Sequence, residues 1–262
     1  AGLSNYRYEL WRGDSTLLAV ADSICAGDVY ILNGQSNAES RSTGEKTNYL
    51  KNAFIRTYGN ASEWPCIKKW FVASGDGTRD SAGHIGQLGM EIATKLMNER
   101  SIPICIMNGA VGGMEISYFL RDEANHQNMS TAYGRLLNRI SDVDLTSHIR
   151  AIIWFQGEKD AGIGTTKSVY TNRLQSLYNS WHEDYPGFEN MYLYQIRFGC
   201  WQADVYTRPI HQAQFEFALN HQDVIILSTN NVDQYIDSCH YNFQNGYRVL
   251  GDYAFEQMNH YQ

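Results

Sequence analysis

Three side chains of this sequence have the chemistry for acyl transfer, one near the start of the chain and two close together near its end. Ser36, in Gly34-Gln-Ser-Asn37, offers a hydroxyl nucleophile, and Asp237-Ser-Cys-His240 offers a carboxylate and an imidazole at i,i+3. Cleaving an ester by this route needs a nucleophile, a base to take its proton, a group to orient the base, and donors for the oxyanion. On a tight turn the i,i+3 spacing brings carboxylate and ring together, so Asp237 can accept from Nδ1–H while Nε2 faces Ser36. Oxyanion donors are backbone N–H groups free of bulky side chains, or a fixed side-chain amide. The Ser36 and Gly113 N–H groups fit the first kind and the Gln156 side chain fits the second. Each motif also has an ordinary structural use. Ser36 can cap a helix, Gly112-Gly113 can form a tight turn, Asp237 can cap its loop, and Gln156 can bond to loop backbone.

The elements that must position these groups can be read in order. Val29 to Leu32 is apolar and runs straight into the Gly34-Gln-Ser-Asn turn, which predicts a buried strand handing over to a helix with Ser36 at the corner. A helix N-terminus there favours developing negative charge. Further strands are expected at 53–58, 103–107, 148–155, 191–196 and 223–228. Helices are expected at 86–100, 130–141, 166–184, 209–221 (with Pro209 near its first position) and 246–261. Residues 59–82, around Trp64, Trp70 and Phe71, read as a long surface loop forming one wall of a cleft. Strands alternating with helices predict an α/β fold: three layers, α/β/α, around a doubly wound and mainly parallel sheet. Ligands on such sheets bind beyond the carboxyl ends of the strands. Ser36, Gly112-Gly113, Gln156 and the Asp237/His240 loop all follow expected strands, so they should share one edge. Residues 1–27 read instead as a β-hairpin turning at Arg12-Gly-Asp-Ser15, either an edge addition or the end of a domain preceding residue 1.

Composition narrows the partners. With 262 residues, 43% of them hydrophobic, the chain suits one large domain over residues 28–262. A net charge of −7 argues against nucleic acid or an anionic membrane surface as a main partner. No window holds the ~18 continuous apolar residues of a membrane span. The 18 Tyr and 6 Trp could line a sugar-binding surface, although most should fill the core. The cysteines Cys25, Cys66, Cys105, Cys200 and Cys239 show no metal-ligand spacing, and their pairing is left open; Cys105 reads as a buried thiol.

Taken together, Gly34-Gln-Ser-Asn37, Ala110-Val-Gly-Gly113, Trp154-Phe-Gln-Gly-Glu158 and Asp237-x-x-His240 resemble the four blocks of the SGNH-hydrolase superfamily. The closer likeness is to its sialate O-acetylesterase-like branch, which includes carbohydrate esterase family 6. It spans about residues 28 to 260, and the set of four in this order is specific. The resemblance implies an SGNH/flavodoxin-like fold, Ser36 as nucleophile, His240 as base, Asp237 as its orienter, and Ser36, Gly113 and Gln156 as oxyanion donors. Two positions depart from the family's habit, Ala38 where Met is common and Met114 where Thr or Ser is common, and both are expected to shape the acyl pocket. Glu158 and Asp160 are expected to fix loops. The implied activity is serine O-acetylesterase action on acetylated sugars or glycans through an acetyl-enzyme, with no metal or organic cofactor. The alternatives are the same mechanism on non-carbohydrate esters, or a non-catalytic carbohydrate-binding protein on this scaffold. Enzymes of this type meet their polymer outside the cytoplasm, so a secreted or periplasmic location is expected.

Overall fold

The computed structural model describes residues 2–60, 67–200 and 202–261; Trp64 and Cys66 lie outside them. At the start of the chain, β1 (Tyr6–Arg12) and β2 (Thr16–Ile24) pair antiparallel, as the alternating pattern predicts. They form a two-stranded sheet of their own, and every residue of both strands is exposed.

The site is carried by a second sheet. Its strands are β3 (Asp28–Gly34), β4 (Ile55–Tyr58), β5 (Trp70–Val72), β6 (Ile104–Asn108), β7 (Ile149–Phe155), β8 (Asn190–Tyr194) and β9 (Val224–Leu227). They lie in the order β5-β4-β6-β3-β7-β8-β9. All pairings are parallel except β4 with β5 at one edge. The helices are α1 (Ser36–Glu39), α2 (Gly86–Arg100), α3 (Ala132–Ser141), α4 (Glu158–Gly162), α5 (Lys167–Asp184), α6 (Asp204–Asn220) and α7 (Arg248–Tyr261).

Alternation along β3 explains the layers. Val29 and Ile31 point to a core shared with Leu136 of α3, Trp181 of α5 and Phe217 of α6. Tyr30 and Leu32 point to the other face, where they meet Leu88 and Ile92 of α2 and Ala254 and Met258 of α7. A strand buried on both faces reads as a continuous apolar run, which is why β3 has no polar alternation. The three-layer, mainly parallel α/β/α arrangement is therefore the one expected. Helix starts follow local chemistry, with Thr131 and Thr166 capping α3 and α5 by accepting from Gly134 and Val169 N–H.

Four expectations change. The short edge strand β5 falls inside the stretch read as loop, because a three-residue strand gives no periodicity to see. Helix α6 starts at Asp204, not at Pro209, which lies inside it. A proline costs a helix one hydrogen bond near its start and clashes only with the turn before it, so it is a weak boundary marker there. The helix after Ser36 is a single turn ending at Ser40, which is left-handed with φ 43°. Only its free first-turn N–H groups can serve an anion, not the dipole of a long helix. Finally, α7 is preceded by a π-helical turn over Phe243–Tyr247.

Strand order places the functional edge. The chain leaves β3 toward β4 on one side and leaves β7 toward β8 on the other, so β3 and β7 flank a change of direction. Their carboxyl ends nearly touch. Gly34, at φ 135°, pairs with Phe155, and a Cβ on it would sit 2.1 Å from the Phe155 carbonyl oxygen. Only glycine lets the chain turn here, with Ser36 on one strand end beside Gln156 on the other. Among the described residues, no helix is long and apolar enough to cross a membrane.

Candidate active site

Ser36 is the first residue of α1, with Gln35 as its N-cap, so the ordinary reading of the serine as a cap does not hold. Its Oγ lies 2.8 Å from Nε2 of His240, and His240 Nδ1 lies 2.6 Å from Oδ2 of Asp237. A carboxylate can only accept, so Nδ1 carries the proton and Nε2 is free to accept from the Ser36 hydroxyl. Asp237 is itself fixed, because its Oδ1 accepts from the N–H groups of Cys239 (3.0 Å) and His240 (2.9 Å). Burial alone would raise its carboxyl. The hydrogen bonds from the His240 ring and from these two N–H groups outweigh that and hold it below the usual carboxylate range. The group facing the imidazole is therefore an anion at neutral pH.

An open cleft of about 780 Å³ lies over these residues, at the carboxyl ends of the strands. Gln35, Ser36, Gly112, Gly113 and His240 line its floor side, and Glu39, Arg41, Ser42, Thr43, Glu158, Lys159, Gly162, Cys200, Gln202, Cys239 and Tyr247 line the rest. Among the described residues, 59–82 contribute nothing to it. The wall expected from that loop is built instead by 39–43 and by the segment after β8. A larger cavity of about 1080 Å³ opens at the opposite end of the strands, between Asp28, Pro103, Arg150 and the hairpin residue Ile24, and none of the site residues lines it. No group of three or more His, Cys, Asp or Glu among the described residues is arranged to hold a metal ion.

Gly112 and Gly113 differ in what they offer. The Gly112 N–H donates to Oε2 of Glu39 (3.2 Å), and a Cβ on Gly112 would lie 3.0 Å from that oxygen and 3.5 Å from the Ser36 Cβ. Gly113, at φ 75°, lies open at the cleft. Glu39, whose role the sequence did not suggest, is almost wholly buried. It also accepts from Arg41 Nε (2.6 Å) and the Arg79 N–H (3.1 Å), and its backbone carbonyl contacts His84. It thus holds the Gly112 turn against α1.

Gln156 does not reach the cleft. It is fully buried, with Nε2 donating to Asp160 Oδ2 (2.6 Å) and to the Met114 carbonyl (3.2 Å), while Oε1 accepts from the Tyr170 hydroxyl (3.1 Å). The expected oxyanion role of this amide yields to a stronger local acceptor, the Asp160 carboxylate, which also takes the Ile116 N–H (2.8 Å). What Gln156 holds is the backbone directly after Gly113. Gln156→Ala is expected to destabilise the protein by about 2–4 kcal/mol, from the lost packing and the lost amide donor to the buried Asp160 carboxylate, while the Tyr170 hydroxyl keeps the Gln156 backbone carbonyl (3.0 Å). Urea unfolding measures this, and a variant as stable as the parent would contradict the assignment. Ala38 and Met114, expected to shape the pocket, instead pack into or against the two cores.

Beneath Ser36, Asn37 donates from Nδ2 to Glu158 Oε1 (2.8 Å) and to the Cys239 carbonyl (3.1 Å), and accepts at Oδ1 from Tyr247 (3.2 Å). Asn37 therefore ties the Ser36 turn to both the Glu158 segment and the His240 loop. Burial raises the Glu158 carboxyl above its ordinary value, only partly opposed by the hydrogen bond from Asn37. Between the unfolded value (about 4.3) and this raised folded value, the folded state keeps a proton that the unfolded chain has lost, so stability falls as pH rises through that window. Glu158→Gln removes this titration while keeping an acceptor for Asn37. Its melting temperature is expected to exceed that of the parent at neutral pH, by a margin that shrinks as pH drops to about 4. A margin independent of pH in a series of thermal melts would contradict this.

Comparison with known proteins gives a consistent assignment. Residues 26–260 match the family model described as carbohydrate esterase, sialic acid-specific acetylesterase. A protein from Arabidopsis thaliana shares the fold at 18% identity and a TM-score of 0.68, with 90% of this chain and 99% of that one covered. A carbohydrate acetylesterase from Xanthomonas citri does so at 18% identity and TM-score 0.68, covering 95% of this chain and 60% of that one. A variant of a Geobacillus acetyl-xylooligosaccharide esterase is similar at 13% identity and TM-score 0.51, with 90% and 95% covered. No curated protein matches the chain by sequence.

Proposed function

We propose that this chain, which belongs to the carbohydrate esterase, sialic acid-specific acetylesterase family, removes acetyl groups from acetylated sugars or glycans by a serine mechanism. Ser36 attacks the acetyl carbonyl while His240 Nε2 takes the hydroxyl proton, and Asp237 holds the ring and stabilises the imidazolium. The tetrahedral oxyanion rests on the N–H groups of Ser36 and Gly113. His240 then gives its proton to the sugar oxygen, which leaves, and a water activated by the same ring attacks the acetyl-enzyme to release acetate. The observation that carries this reading is the unbroken run of short contacts from Asp237 through His240 to Ser36, opening onto the cleft. Gln156 acts in this reading by fixing Met114, and hence the turn that carries Gly113.

The cleft walls favour a short acyl group on a polar leaving group. Arg41, Ser42, Thr43, Lys159 and Gln202 line it with charged, hydroxyl and amide side chains, which suit a sugar and not a long acyl chain. The Cys200–Cys239 disulfide supports an oxidising compartment, and so a secreted or periplasmic location. The test is acetate release across a panel of acetylated glycans, alongside acetyl and octanoyl esters of one activated alcohol, with Ser36→Ala as the blank. Release from acetylated glycans and preference for the acetyl ester are expected. Octanoyl preference would move the assignment to lipid esters. Glycan binding without turnover of any member would make the protein a carbohydrate-binding scaffold.

A further inference from the structure

The loop that carries both acid and base has almost no regular structure of its own. Between β9 and the π-helical turn at Phe243 it holds one isolated bridge, Gln234 with Tyr241, and two left-handed residues, Asn231 at φ 62° and Ser238 at φ 59°. Such a loop fixes a side chain poorly unless it is tied from outside. Two ties meet at Cys239, the residue before His240. Its carbonyl accepts from Asn37, and its sulfur is bonded to Cys200, 39 positions earlier, in the segment between β8 and α6. That segment is anchored in turn, since the Ile196 N–H donates to Gln214 Oε1 (2.9 Å) and Gln202 Nε2 donates to the Glu158 carbonyl (3.2 Å). The contacts close a ring around Ser36: Cys239 to Cys200, through Gln202 to Glu158, through Asn37 back to Cys239. Its only covalent link besides the chain itself is the disulfide.

We propose that the Cys200–Cys239 disulfide is a positioning element for His240, so that opening it lowers turnover while leaving the fold and substrate affinity in place. The proposal rests on the esterase reading above. Both cysteines are buried yet line the cleft, so the bond is part of the site wall and not a remote staple. When it opens, the covalent tie between this loop and the segment after β8 is lost at the residue before His240, while the hydrogen bond from Asn37 to the Cys239 carbonyl remains. A displacement of about 1 Å at a proton-transferring group can cost on the order of 10²-fold in rate.

The experiment uses the oxidised protein, the same protein treated with dithiothreitol, and the double variant Cys200→Ser/Cys239→Ser. In the reduction, two thiols of dithiothreitol close to a cyclic disulfide while the Cys200–Cys239 bond takes up two electrons and two protons. Acetyl ester turnover is measured with the rate at which a fluorophosphonate labels Ser36, read by mass spectrometry. The low-field proton resonance of His240 Nδ1–H reports its bond to Asp237. Reduction and the double variant are expected to lower kcat and the labelling rate by about 10-fold to 100-fold, with KM changed less than about 3-fold, unchanged circular dichroism, and a weakened low-field resonance. Reoxidation of the reduced protein should restore all three. Equal kcat and labelling in oxidised and reduced protein overturn the positioning role alone. Global unfolding on reduction also overturns it, because the bond would then hold the fold and not the base. Absence of Ser36 labelling in the oxidised protein overturns the esterase reading itself, and the proposal with it.

Discussion

Ser36→Ala is expected to reduce acetate release by about 10⁴-fold or more while leaving substrate binding and stability nearly unchanged. The substitution deletes one oxygen whose contact is with His240, and it keeps the backbone N–H at the corner. The oxyanion donors and the cleft lining therefore survive, and only the covalent route is lost. The remaining rate would come from water activated by His240 beside the same donors. Steady-state turnover together with binding of a non-hydrolysable acetamido sugar separates the two effects. A variant that retained a tenth of parental turnover would exclude Ser36 as nucleophile, and with it the acetyl-enzyme.

Asp237→Asn is expected to cost about 10³- to 10⁴-fold in kcat with little change in the fold. In the parent, Oδ1 is taken by the Cys239 and His240 N–H groups and Oδ2 faces His240 Nδ1. An amide at this position would keep its oxygen on the two N–H groups, which need an acceptor, and so would turn its NH2 toward the ring. Nδ1 would then have to accept, the proton would move to Nε2, and the nitrogen facing Ser36 could no longer take the hydroxyl proton. The carboxylate also stabilises the imidazolium formed during attack, and the amide does not. Asp237→Ala would remove the orienter without imposing the wrong tautomer, so it should be less damaging than the amide if the tautomer is the dominant cause. A kcat within tenfold of the parent for Asp237→Asn would contradict the assigned role.

The sheet and most of its helices were legible because each rests on local order along the chain. The run Val29 to Leu32 and the stripes of α2 and α5 are each made by neighbours in sequence. The corner at Ser36 was legible for the same reason, as was the fact that the chemistry-bearing motifs follow strands. Less legible were elements without a period of their own, such as the three residues of β5, and the extension of α6 ahead of Pro209. The cleft wall was misplaced because aromatic content along 59–82 says nothing of which way that stretch folds back.

By itself the sequence determined the parallel sheet, the strand ends at which the site had to lie, and the residue types available for acyl transfer. It could do so because burial patterns and turn chemistry act over a few residues. Only the tertiary structure decided how long polar side chains spend their hydrogen bonds. The Gln156 amide went to the Asp160 carboxylate and the Met114 carbonyl, and not to the cleft. Glu39 became the support of Gly112, Asn37 the tie between two loops, and Cys239 the partner of Cys200. Each choice depends on which acceptors and sulfurs the fold brings within a few ångströms, across separations in sequence that no local pattern records.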